Sequence, residues 1–127
     1  MIYDPPIKDM LFLVNEWIGL DRLTSLPGYE EVDADLFEAV LEEAGKFCST
    51  ELLPINRDGD EVGAIYENGN VRTPPGFKEA YTQFIENGWT SIDAEPEHGG
   101  QGLPKLLQML IDEMLTATNL AFKLYPE

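Results

Sequence analysis

The sequence is poor in cysteine, histidine and positive charge, and each shortage removes a class of function. A single cysteine, Cys48, stands among 127 residues, so no internal disulfide can form and a disulfide-stapled secreted scaffold is excluded. A single histidine, His98, leaves no histidine pair for a closed metal site. No nucleophile-histidine-carboxylate arrangement can be assembled around it. Lysine and arginine number 8 against 24 aspartates and glutamates, for a net charge of −16. That much negative charge repels phosphate backbones and anionic lipid heads, so neither nucleic acid nor a membrane is expected as a partner. No apolar run reaches the roughly 20 residues that span a bilayer. The opening Met1-Ile2-Tyr3-Asp4-Pro5-Pro6 lacks the basic start of a signal peptide. The expected location is the cytoplasm.

What is present is helical patterning. A hydrophobic share of 43% over this length supports one domain with its own core. Asp4-Pro5 predicts a capped helix start, and Met10, Leu13, Val14, Trp17 and Ile18 recur at helical spacing from Ile7 to about Leu20. A connector around Pro27-Gly28 follows. Asp33 or Asp35 then starts a second helix, with Leu36, Phe37, Val40, Leu41, Ala44, Phe47 and Cys48 on one stripe, and Pro54 is expected to end it. Asn56 to Gly63 reads as a polar loop, and Asn68-Gly69 as the turn of a short hairpin. Thr73-Pro74 is expected to open a third helix with an apolar face of Phe77, Ala80, Tyr81, Phe84 and Ile85, stopped at Gly88. After an irregular stretch from Trp89 to Gly102, Leu103-Pro104 begins a fourth helix. Its inward residues are Leu106, Leu107, Leu110, Ile111, Met114 and Leu115. The fold class that follows is all-α: a bundle of about four main helices with a short β-hairpin.

Several constellations resemble sites and fail on chemistry. Asn56, Asp58, Asp60 and Glu67 fall at EF-hand ligand positions, but Glu61 stands where the loop requires glycine. Gly99-Gly100-Gln101-Gly102 precedes a helix, as phosphate loops do, yet lacks the lysine-serine ending and has Glu95 and Glu97 beside it. A tight interhelix turn is the simpler reading. His98 with those two glutamates makes no closed metal site, and no metal is expected. Cys48 lies on the buried stripe of the second helix, where a thiol packs as an inert apolar group.

Three stretches carry a resemblance. The first is Tyr3-Asp4-Pro5-Pro6-Ile7-Lys8-Asp9-Met10-Leu11-Phe12. The second runs from Leu53-Pro54-Ile55-Asn56-Arg57-Asp58-Gly59-Asp60 and Gly63 to Gly69-Asn70-Val71 and Thr73-Pro74-Pro75-Gly76-Phe77. The third is Gly88-Trp89 with Pro96-Glu97-His98-Gly99-Gly100-Gln101-Gly102-Leu103-Pro104. In this order they resemble the N-terminal helical domain of the acyl-CoA dehydrogenase family, in the subfamily whose leader is shared by 3-methylmercaptopropionyl-CoA dehydrogenases.

The resemblance implies a three-part enzyme that encloses FAD and an acyl-CoA thioester, removes the α-proton with a carboxylate base, and passes a β-hydride to the flavin. It implies that residues 1–32 are a leader helix and connector and residues 33–127 the helical core, with the flavin β-domain and C-terminal bundle outside this chain. No catalytic, cofactor-binding or metal residue is then expected here. What remains is wall: Phe122, Leu124 and Tyr125, bordering the acyl tail. FAD belongs to the full-length family and is not expected to stay on this chain alone, which is expected to be inactive. The partners implied are an acyl-CoA, short or sulfur-bearing acyl groups included, and an electron acceptor. Consecutive apolar residues such as Met10 to Val14 exceed what one helix stripe can bury, so a homodimer is expected for the isolated chain. The alternative is a stand-alone acidic helical module that binds a partner protein.

Overall fold

The structure, a computed structural model, describes residues 2–126. Helix α1 (Ile7–Phe12) passes directly into a π-helical turn (Leu13–Gly19), and α2 (Leu20–Thr24) follows where Gly19 takes a positive φ of 84°. Helix α3 (Ala34–Phe47) continues through a second π-helical turn (Cys48–Leu52) into α4 (Leu53–Glu61). Strands β1 (Ile65–Glu67) and β2 (Asn70–Arg72) pair antiparallel with Tyr66 opposite Val71. Asn68 and Gly69 between them have φ of 52° and 80°, the left-handed pair that a tight hairpin turn requires. Helix α5 (Phe77–Glu86), two short 3₁₀ turns (Trp89–Ser91 and Pro96–His98) and α6 (Lys105–Lys123) complete the chain. The architecture is all-α with a small hairpin, as the periodicity implied.

Helix starts follow the expected logic at one place and depart from it at two. Asp33 caps α3, its carboxylate accepting the Leu36 N–H at 2.8 Å. Asp4 does not cap α1, which begins after Pro6 with the Ile7 N–H donating to the Pro5 carbonyl at 2.8 Å. Thr73 does not cap α5 either. Gly76 precedes that helix, and the Phe77 N–H reaches the Pro74 carbonyl at 3.3 Å. In both cases paired prolines fix a turn whose own carbonyl takes the first orphan donor, leaving no role for the side chain.

Pro54 does not end the second helix. It sits in the first turn of α4, where its missing N–H removes nothing, and the widened turn Cys48–Leu52 just before it absorbs the change of register. Asn56 to Glu61 is consequently helix rather than loop.

The core is one cluster. Phe37, Leu41 and Ala44 of α3 and Cys48 and Leu52 of the π turn meet Leu107, Ile111, Met114 and Leu115 of α6. Phe77, Ala80 and Phe84 close one end, and Met10 and Val14 join from the leader. A Cβ on Gly45 would lie 2.6 Å from the Pro5 ring, so glycine is what lets the leader rest on α3. Ser49 holds it there, its hydroxyl donating to the Tyr3 carbonyl at 3.2 Å.

Helix α6 is interrupted once. Asn119 leaves helical geometry (φ −159°, ψ 83°) while 1% exposed. Its amide donates to the Leu52 carbonyl at 3.2 Å, and its Oδ1 accepts the Phe122 N–H at 3.0 Å. The side chain caps the last turn from inside the helix and ties that turn to the π segment across the core.

Asn119→Leu would strip partners from two buried backbone groups. The expected loss in urea unfolding is about 2–4 kcal/mol; a loss below about 0.5 kcal/mol, the range of indifferent surface changes, would contradict this account.

Burial pushes the Cys48 thiol from 9.0 up to about 11, partly offset by a hydrogen bond with Thr118. Burial, then Cys48 and Glu113, push the Tyr3 hydroxyl from 10.0 up to about 12. Both groups are neutral when protonated and both pKa values are raised in the fold. Their contribution is therefore complete below pH 9.0 and is lost as pH rises through about 11 and 12. Stability is expected to fall over that window, with a shallower slope in Cys48→Ala. A thiol reagent at pH 8 should label Cys48 no faster than the chain unfolds globally.

Candidate functional site

The end of α6 builds the most site-like feature. Phe122, 1% exposed, is the centre of an aromatic cluster, with ring centroids 5.7 Å from Phe84, 6.1 Å from Phe77 and 6.5 Å from Tyr81. Tyr125 stands edge-on to Phe77 at 6.0 Å. A groove of about 500 Å³ opens over this floor. One wall is Val71, Arg72 and Thr73 at the end of the hairpin; another is Phe77, Lys78 and Tyr81 of α5; Phe122 and Tyr125 close it. The local cause is sequence spacing: Phe77 and Tyr81 lie four apart, one turn above the other on α5. Gly59 contributes from beneath, because a Cβ there would strike the Phe77 ring at 2.8 Å. A larger hollow of about 790 Å³ lies between the leader and α3, with Asp4, Asp9, Glu38 and Glu42 among its walls. Its lining is mixed, with Lys8, Lys46, Pro5, Ile7 and Leu11 beside those acids, where the first is aromatic.

Of the three expected wall residues, Phe122 and Tyr125 line the aromatic groove. Leu124 does not, and is 69% exposed. The hairpin residues Val71 to Thr73 were not expected there, since hairpin periodicity says nothing about what a strand end will face. Tyr81 and Ile85, read as part of the apolar face of this helix, are exposed on α5.

The other constellations take definite forms. Asn56, Asp58 and Asp60 are spread around the axis of α4, where residues two apart face different directions, and Glu61 is occupied by Arg57 at 2.8 Å. The glycine turn spends its N–H groups on its own backbone. Gly99 donates to Pro96, Gly100 to Glu95, Gln101 to Ser91 and Gly102 to Ala94. Those donors are not free to cradle a pyrophosphate, so the turn does not fit a dinucleotide cofactor. His98 lies 3.8 Å from Glu95 and 3.9 Å from Glu97, and the three ligand atoms fall within 4.8 Å of one another. All three side chains are exposed, which makes an open surface cluster rather than a closed coordination shell.

The leader and α6 also leave apolar faces uncovered. Phe12 and Trp17, at 59% and 75% exposure, mark one; Met109, Leu120 and Leu124 mark the other. Among the described residues, no helix is long and apolar enough to cross a membrane.

No protein-family model matches the chain. Curated relatives do. A 3-methylmercaptopropionyl-CoA dehydrogenase of Ruegeria pomeroyi is 37% identical over 126 residues, which is 99% of this chain. Over nearly its whole length the chain is similar to part of this acyl-CoA dehydrogenase. A butyryl-CoA dehydrogenase of Syntrophomonas wolfei is 33% identical over 85 residues, 64% of the chain. A broad-specificity linear acyl-CoA dehydrogenase, FadE5, of Mycobacterium tuberculosis is 22% identical over 125 residues, 97% of the chain. The chain spans 21%, 14% and 20% of the length of these three acyl-CoA dehydrogenases respectively.

Proposed function

We propose that this chain acts as the N-terminal helical domain of a cytoplasmic, FAD-dependent acyl-CoA dehydrogenase, residues 1–32 serving as leader and connector and residues 33–127 as core. The similarity over 99% of the chain to a 3-methylmercaptopropionyl-CoA dehydrogenase carries this reading. The reaction of the whole enzyme is α,β-dehydrogenation of an acyl-CoA thioester, with electrons passing from the flavin to an acceptor. Bound FAD would supply the hydride acceptor of the whole enzyme, and the glycine turn of this chain offers it no free N–H donors. The chain's contribution is to bind and exclude: Phe122 and Tyr125 border the acyl tail and keep water from it, while Leu124 lies outside the groove. Phe122 is fixed by its aromatic neighbours, so that border is rigid. The 127-residue chain alone neither retains flavin nor oxidises acyl-CoA.

A transplant tests this. This sequence replaces the matching region of the Ruegeria pomeroyi enzyme, and flavin content and acyl-CoA oxidation are measured. The expected chimera is yellow and active, and Tyr125→Ala within it shifts KM among acyl chains of different length. A soluble, folded chimera without flavin or turnover would leave the stand-alone interaction module as the better reading.

The uncovered faces of α1 and α6 are interdomain surface in a protein of the relatives' length, and in the isolated chain they pair in a two-fold homodimer. The repulsion from −16 charges reaches only about 8 Å at physiological salt, and burial at roughly 25 cal/mol per Å² exceeds it on contact. Sedimentation equilibrium is expected to show a dimer, weakened at least about tenfold by Trp17→Glu. A monomer at high concentration that binds no apolar dye would refute the pairing.

A further inference from the structure

Positive charge is scarce in this chain, and its placement is uneven. Lys46, Arg57 and Lys105 are each paired with a carboxylate, at Glu43, Glu61 and Asp93. Lys8, Arg22, Arg72 and Lys78 make no ion pair among the described residues, and Arg72 and Lys78 are the two of these that lie together. Both line the aromatic groove. A chain with 24 acids to neutralise its 8 bases has left two of them unneutralised at the walls of its most aromatic hollow. Both side chains are exposed, while Phe77 and Phe122 below them are buried. The groove's volume of about 500 Å³ falls within the roughly 300–1,000 Å³ of small-molecule sites, which are mostly apolar with a few placed polar groups.

We propose that this groove binds an alkyl carboxylate, its apolar chain against Phe77, Tyr81, Phe122 and Tyr125 and its carboxylate on Arg72 and Lys78. The walls choose the tail, since aromatic faces offer no hydrogen bonds to a polar one. The two cations choose the head, and the Arg72 guanidinium presents the planar fork that a carboxylate matches. Phe122 and Tyr125 are also the residues proposed above to border an acyl tail, but the groove's walls and both cations lie within this chain, so its binding is tested without the dehydrogenase reading.

The experiment is a calorimetric titration of the 127-residue chain with decanoate, decyl phosphate and decanol, each below its micellar concentration, with amide shifts followed by NMR. Decanoate is expected to bind saturably at one site, with shifts concentrated around residues 71–81 and 122–125. Decanol is expected to bind at least about tenfold more weakly, the worth of one charge-assisted contact. Arg72→Gln combined with Lys78→Gln should bring decanoate down to the level of decanol and leave decanol unchanged. Both side chains are exposed, so circular dichroism should be that of the parent. The control pair Lys8→Gln with Arg22→Gln, which removes the same charge elsewhere, should leave decanoate affinity intact. No saturable binding, equal affinity for decanol, or an equal loss in the control pair would each overturn the proposal. Tighter binding of decyl phosphate would overturn the choice of head group. Failure of the transplant described above would bear on the dehydrogenase reading and leave this titration unaffected.

Discussion

The Asn119 side chain ties the break in α6 to the π turn at the α3–α4 junction. A break in α6 would ordinarily leave backbone groups without partners in a dry core, at a cost of order 1–3 kcal/mol each. Asn119 offers one acceptor and one donor, and both are used: one caps the final turn, the other reaches the carbonyl of Leu52. The direction of the last turn of α6 is thereby set by a residue of the α3–α4 junction. Phe122 lies on that turn, and the aromatic floor of the groove is arranged around Phe122. The position of the groove thus traces back to one amide.

The same junction explains why a proline can stand in what is effectively one long helical run. Pro54 lacks a donor, and the preceding π turn reorganises the bonding so that this lack falls at a helix start. Cys48 and Leu52, the ends of that turn, are both fully buried against α6. The turn is therefore a packing element and not a frayed end. Thr118, beside Asn119, sends its hydroxyl back to the Met114 carbonyl at 2.8 Å, a local bond that helps bend the helix where it breaks.

The helices were legible because their apolar residues repeat at three and four, and Phe37, Leu41, Ala44, Leu107, Ile111, Met114 and Leu115 all reach the core as that spacing implies. Asp33, the Asn68-Gly69 turn and the stop at Gly88 were legible because each is a local backbone event with its own residue signature. The two π turns were not, since a single added residue per turn leaves no mark in apolar spacing over so short a stretch. The reading of Pro54 as a terminator followed a sound local rule that this register change circumvents. The groove was half legible. Phe122 and Tyr125 were singled out through family resemblance, whereas Arg72 faces Lys78 of α5 through the hairpin, a contact between segments that no local pattern records.

The π turn at Cys48–Leu52 also makes chain length a geometric variable. An α-helix advances about 100° per residue, so removing one residue there, even while restoring a continuous α-helix, would rotate α4 by nearly a third of a turn relative to α3. Gly59 would swing from beneath the Phe77 ring, and a bulkier neighbour would take its place. The aromatic floor would lift although none of its own residues had changed. Substitutions in this segment can be compensated by repacking, but a deletion alters an angle that no side chain can restore. Tolerance to residue identity and tolerance to residue number are therefore separate properties of this junction, and only the first is to be expected of it.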